Sequence, residues 1–375
     1  LVPAGVMVKL GRGDGSFAPA ETSPILPEGT RTRLALGDLN RDGHLDAVTT
    51  NLTKDTISAL TGRGDGTFAV AVADLAVGDR PDSVALGDLN ADGALDAAVG
   101  NIRSQTVAIL LGIGDGSFAP AVHYAPGGNI PRVAAIADAT GDGLPDVIVG
   151  NQQFGILATL PGRGDGTLAE PIVDETGLTL FNPVAADLNG DGVLDIATPN
   201  TFEHTLSVHL GRNNGTFATL PVYPTGVENF ELAVGDVNGD RVPDIVSALR
   251  GNLEDGDAGT FLVLLGQGDG TFTRTSFRAG SRTLEVELGD LNGDGAPDIA
   301  FTGGGAIFGR RSLRDRAALR SVGARPRRRR LQRGRPSGYR GRGHRRTGTT
   351  HRRSPRHRRR VTPRPGTRGD HRSER

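Results

Sequence analysis

Six stretches of this chain share the pattern D-x-N-x-D-G-x-x-D, with two departures. In the first, Asp38, Asn40, Asp42 and Asp46 place oxygen-bearing side chains at positions 1, 3, 5 and 9, and Gly43 at position 6 permits a sharp turn. With the main-chain carbonyl of His44 at position 7, these are hard oxygen donors at alternate positions, a set suited to Ca2+. The later copies supply Asp88, Asn90, Asp92, Ala94 and Asp96; Asp138, Thr140, Asp142, Leu144 and Asp146; and Asp187, Asn189, Asp191, Val193 and Asp195. The last two supply Asp236, Asn238, Asp240, Val242 and Asp244, then Asp290, Asn292, Asp294, Ala296 and Asp298. Three Asp within nine residues repel one another unless a cation sits among them. Many protein oxygens and few gaps for water favour Ca2+ over Mg2+. The alternative is an Asx-rich turn that holds no metal, because Asp and Asn form turns on their own account. An EF-hand does not fit, since position 12 is Thr49 rather than Glu and the flanks read as strands. Thr140 is a weaker donor than Asn, and Arg241 replaces the position 6 glycine, so the fifth loop is expected to be the weakest.

The first Asp of each loop recurs at intervals of 50, 50, 49, 49 and 54 residues. Between the loops lies a second repeat, "LGRGDGSFAP" at its first appearance. Three copies contain Arg-Gly-Asp, beginning at Arg12, Arg63 and Arg163, but the Arg position elsewhere holds Ile113, Arg212 and Gln267. What persists is a Gly and Asp/Asn cluster between apolar runs, which is hairpin-turn chemistry, and the adhesion tripeptide is read as coincidence. One period contains "SVALGD", "LDAAVGN", "TVAILLG" and "SFAPAVHYA", four runs of strand length rich in Val, Ile, Leu and Ala. Four antiparallel strands per fifty residues predict an all-β chain, a β-propeller of four-stranded blades. A solenoid usually has a shorter period, and a row of sandwiches needs about seven strands per unit. The chain opens with the last two strands of a blade and the pattern stops after the first two of another, so two halves can pair and close the ring.

In such a meander the Asp loops and the Gly-Asp-Gly turns fall on one face. The opposite face collects the irregular connections, which carry Tyr124, Phe154, Phe181, Phe202, Tyr223 and Phe230. Each of these either packs at a blade junction or stands exposed to stack on a sugar or anchor a protein.

Over about residues 5–305 the loops resemble FG-GAP/VCBS repeats, best known from the propellers of integrin α-subunits. The resemblance implies a seven-bladed propeller, here with six recognisable repeats and a truncated or frameshifted end, together with secretion or surface display and structural calcium. It fixes no ligand. Integrin propellers receive Arg-Gly-Asp ligands rather than display them.

The formal net charge of zero hides two opposite segments. Residues 310–375 hold 26 Arg against 3 acids, and residues 1–309 hold 17 basic residues against 40 acidic ones. The expected division is a propeller over 1–308 and a disordered Arg-rich tail over 309–375. The tail reads either as a basic arm or as a reading-frame change, because GC-rich codons for Gly-Asp-Gly become Arg codons one base out of register. Nucleic acid is not the expected partner. The absence of Cys excludes thiol catalysis, zinc-thiolate sites and disulfides. No apolar run is long enough to span a bilayer. The chain opens inside a strand-like run, so the true start and any signal peptide are expected upstream. His123, His204 and His209 are isolated, and no nucleophile–base pair stands out. The expected function is a secreted or cell-surface, calcium-stabilised, non-catalytic module of adhesion type, which binds a protein or glycan on the face opposite the Asp loops. A spacer repeat of a larger surface protein, or the non-catalytic binding domain of a secreted polysaccharide-degrading enzyme, are the alternatives.

Overall fold

The computed structural model describes residues 7–8, 10, 18, 21–22, 31–250, 260–278, 285–290, 295 and 297–302. All of them belong to one compact unit. The first Arg-Gly-Asp turn, Asn292, Asp294 and Ala296 of the sixth loop, and the Arg-rich tail lie outside the described residues.

Every described element is a strand. The first blade runs β3 (Arg31–Gly37), β4 (Asp46–Asn51), β5 (Thr56–Gly62) and β6 (Phe68–Ala76). The second is β7 (Pro81–Gly87), β8 (Asp96–Asn101), β9 (Thr106–Leu110) and β10 (Val122–Tyr124). The third is β11 (Asn129–Ala137), β12 (Asp146–Gln153), β13 (Ile156–Leu160) and β14 (Ile172–Glu175). The fourth is β15 (Val184–Ala186), β16 (Asp195–Asn200), β17 (Thr205–Gly211), β18 (Phe217–Thr219) and β19 (Tyr223–Pro224). The fifth is β20 (Asn229–Gly235), β21 (Asp244–Leu249), β22 (Thr260–Gly266) and β23 (Phe272–Arg278). Each is an antiparallel meander in chain order, with β18 and β19 both paired to β17. Two further pairs, β1 (Met7–Val8) with β2 (Glu21–Thr22) and β24 (Glu285–Gly289) with β25 (Asp298–Thr302), form separate two-stranded sheets. The half-blades expected at the two ends are thus present, while the ladder expected to join them is not among the described pairings.

The second strand of each full blade is buried over its first six residues, as in Asp96–Asn101. Successive side chains of a strand point to opposite faces, and here both faces are covered. Ala97 and Val99 of β8 join Val48, Ile57 and Ala59 of the first blade, while Ala98 joins Val147, Val149 and Ala158 of the third. The core therefore lies between blades, which explains the near-continuous small and apolar runs of the inner strands. Proline flanks or interrupts the outer strand in three blades, while Pro81, Pro131 and Pro199 lie within first or second strands. Pro120, Pro171 and Pro221 lie where the outer edges are shortened or broken, because proline cannot donate to a ladder.

Candidate functional site

The Asp loops join first strands to second strands at one end of the blades. In the first loop Asp38 accepts the N–H groups of Asp42 (3.1 Å) and Gly43 (2.9 Å), and Asp42 accepts that of His44 (2.8 Å). Asn40 donates its amide to Asp42 (2.9 Å). The bonds from Asn to Asp recur in the second, fourth and fifth loops. The third loop lacks this bond, and Thr140 Oγ1 is buried without a partner. These contacts hold Asp42 below the usual carboxylate range through the His44 N–H and the Asn40 amide, and Asp92 likewise through Ala94 and Asn90.

Position 9 behaves differently. Asp46, Asp96, Asp146, Asp195 and Asp244 are fully buried, and each accepts two backbone N–H groups, with that of Thr140 as a third at Asp146. Asp46 Oδ2 takes the N–H of Leu39 (2.8 Å) and Oδ1 that of Gly62 (2.6 Å), which ties the loop to the end of the third strand. The other four blades repeat both bonds. Burial pushes Asp195 and Asp244 up to about 6 against those N–H groups, and the neighbouring loop carboxylates repel them further. The donors are all oxygen, which fits a hard cation in type. The carboxylates are spent on the loop's own N–H groups, however, and no ready cage of three acidic or imidazole side chains exists among the described residues. Asp290 joins the same scheme by accepting the Gly295 N–H (2.8 Å).

The Gly-Asp-Gly turns share this face, since Gly116 N–H donates to the Leu39 carbonyl (3.3 Å) and Gly215 N–H to that of Ala139 (2.9 Å). Asp65 and Asp165 of the two described Arg-Gly-Asp turns fold back onto the N–H and hydroxyl of Thr67 and Thr167. Asp115 and Asp269 do the same where Arg is absent, so the tripeptide is a by-product of the turn.

The opposite face separates the six aromatics. Phe154 and Phe202, in the connections β12–β13 and β16–β17, are 70% and 71% exposed. Tyr124 and Tyr223 pack against the core, and the Tyr223 hydroxyl accepts the Phe272 N–H (3.0 Å). Phe181 and Phe230 meet edge to face at 5.7 Å. The Arg132 guanidinium lies 4.2 Å over Phe181 and that of Arg250 lies 6.0 Å over Phe230. Sequence reasoning missed the inner ends of the first strands on this face. There Arg33, Ser83, Arg132, Asn182 and Glu231 line a pocket of about 140 Å3. They sit 49 or 50 residues apart, so the repeat period itself was the signal that they converge. His209 is buried between Ser207 Oγ and Thr219 Oγ1, both at 2.9 Å, out of reach of any substrate.

Residues 38–99, 138–198 and 236–301, just over half of the chain, match the FG-GAP-like repeat. The chain belongs to that family. Its fold is a β-propeller, and similar architectures occur among solved structures. An Agrocybe aegerita lectin, described as recognising non-reducing terminal N-acetylglucosamine, is 22% identical at a TM-score of 0.55, over 80% of this chain and 82% of that one. The BBS1N chain solved in complex with ARL6DN is 12% identical at a TM-score of 0.54, over 77% and 83%. A protein from Lactobacillus plantarum is 13% identical at 0.54, over 78% and 87%. At these identities the likeness concerns the β-propeller fold alone. Curated protein sequences contain no significant match. No helix of the described residues is long and apolar enough to cross a membrane.

Proposed function

We propose that this FG-GAP propeller is a non-catalytic binding module, secreted or displayed at the cell surface, that engages a glycan through the face opposite its Asp loops and is stabilised by calcium held in those loops. The observation that carries this reading is the exposure of Phe154 and Phe202 on that face. Flat apolar rings at the tips of irregular connections stack on sugar rings, and they have no packing role to explain them. The lectin of similar fold supports a glycan over a protein as the first partner to test. Calcium is supported by the all-oxygen donor sets and by buried carboxylates such as Asp195 and Asp244, whose charge has only N–H groups to stabilise it.

A glycan array probed in calcium-containing buffer tests the reading. Selective binding by the wild type is expected, with loss in the Phe154→Ala and Phe202→Ala variants at an unchanged melting temperature. No selective binding on the array, or binding indifferent to both substitutions, would contradict it.

A further inference from the structure

We propose that the pocket at the inner ends of the first strands is a subsite for a carboxylate-bearing sugar, whose carboxylate is received by Arg33 and Arg132. Five blades contribute to it: Arg33 from β3, Ser83 from β7, Arg132 from β11, Glu231 from β20, and Asn182 just before β15. Two guanidinium groups therefore face one small space. Each is paired with one carboxylate, Arg33 with Glu231 and Arg132 with Asp82, and Arg132 keeps an N–H donor beyond its pair. Arg33 Nη1 donates to Glu231 Oε1 (2.5 Å), which also takes the Asn182 amide (2.8 Å). Arg132 Nη1 donates to Asp82 Oδ2 and to Asn182 Oδ1 (3.2 Å).

Arg132 is 94% buried by accessible area, and its Nε has no hydrogen-bond partner. A network serving only to tie blades together has no need of surplus buried donors, and an unmatched one costs free energy. Burial lowers the Arg132 pKa, Asp82 opposes that shift, and the nearby Arg33 charge adds to it. A further oxyanion between the two guanidinium groups offers acceptors to the N–H donors their ion pairs leave over, and offsets part of the repulsion between Arg33 and Arg132. Carboxylate is the acceptor whose planar shape suits a guanidinium fork. Phe181 braces the Arg132 plane from one side, so the group is held in place before a ligand arrives. Val84, Val133 and Pro183 complete the wall with apolar surface of the kind a sugar ring covers. The volume admits about one ring, so the site reads the end of a chain. Arg33 keeps 30% of its side chain exposed, which leaves it accessible from solvent.

The assignment rests on the glycan reading above and narrows it to an acidic terminal sugar. Calorimetric titration of the full chain with glucuronate, glucose and acetate tests it, in the wild type and in Arg33→Gln. Gln keeps a donor for Glu231, so the variant is expected to melt as the wild type does. Glucuronate should bind at least about ten-fold more tightly than glucose or acetate, and Arg33→Gln should lose about ten-fold, as expected for one charge-assisted bond. Equal binding of glucose shows that the carboxylate is not read, and equal binding of acetate shows that the sugar is not. Either result overturns the proposal, as does unaltered or undetectable glucuronate binding. Array binding that survives Arg33→Gln while these titrations fail leaves the recognition face standing without this subsite. Loss of array binding in Phe154→Ala with titrations intact shows the pocket working independently of the exposed rings.

Discussion

At position 6 of the fifth loop Arg241 adopts φ 72°, where Gly43, Gly93, Gly143 and Gly192 stand between 82° and 86°. A Cβ in this left-handed region crowds the backbone. Position 4 imposes the same conformation, at φ 61° in Arg41 and 59° in Ala91, whereas later loops place Gly141, Gly190 and Gly239 there. Arg41 is compensated, because its guanidinium bonds the carbonyls of Asp92 (2.9 Å) and Gly93 (3.1 Å) in the next blade. Ala91 has no such contact. Ala91→Gly and Arg241→Gly should each stabilise by about 0.5–1 kcal/mol, the strain relieved less the added freedom of the unfolded chain. Thermal melts should rise by a few degrees at most, and a fall in either would show that the backbone strain is negligible. His209 makes a pH-dependent contribution. Burial lowers its pKa to about 4. The unfolded chain, with an ordinary value of about 6.5, binds the proton first. The contribution of neutral His209 is thus complete above pH 6.5 and is lost as pH falls toward 4, up to about 3 kcal/mol. His209→Gln should melt with a smaller difference between pH 7.5 and pH 4.5 than the wild type. Asp195 and Asp244 titrate in the opposite sense but equally in both proteins, so the comparison isolates the imidazole. Parallel pH profiles would rule this contribution out.

Within each blade, the strands, turns and opposed faces were legible because they follow from local patterns: apolar runs of strand length, and glycine with Asp or Asn at left-handed turn positions. The double role of the position 9 Asp was not. In sequence Asp46 is one more oxygen donor, while in the fold it braces two backbone segments, and its second partner, Gly62, is 16 residues away. That spacing recurs from Asp96 to Gly112, Asp146 to Gly162 and Asp195 to Gly211, and it lengthens to 22 at Asp244 to Gly266, where the intervening connection is longer. The pocket escaped notice for a similar reason, since Arg33 and Glu231 are 198 residues apart and meet only through the arrangement of blades. Gly162 has a steric as well as a bonding reason to be glycine, for an added Cβ would lie 2.0 Å from the Pro145 carbonyl oxygen. Gly162→Ala should therefore cost several kcal/mol and sharply reduce soluble yield, as an overpacked position does. Asp146→Asn keeps the shape but turns one acceptor into a donor facing an N–H. It should cost about 1–3 kcal/mol in urea melts. A neutral Asp146→Asn would mean that the brace contributes little to stability.

Across the whole molecule, the blade-bearing part of the sequence carries 40 acids and 17 bases over residues 1–309. A fold with so large an imbalance works against its own repulsion. The acids are also not dispersed: the sequence puts three in each nine-residue loop, and the five loops described in full belong to one face. Cations held there would act locally, by matching each cluster, and globally, by halving the excess if every loop took one Ca2+. A ligand that binds only the folded chain raises its stability by linkage, so the melting temperature should depend on free calcium. Chelation is expected to lower it by several degrees and added Ca2+ to restore it. Mg2+ should restore it poorly, because the smaller ion demands a regular octahedron and retains its water. High salt without calcium separates the two effects, since it screens the global repulsion but cannot replace ligands in a loop. Recovery by salt alone would leave only the general charge effect. A melt unchanged by chelator would mean that the loops are Asx turns held by their own N–H groups, with the position 9 carboxylates serving as braces and nothing more.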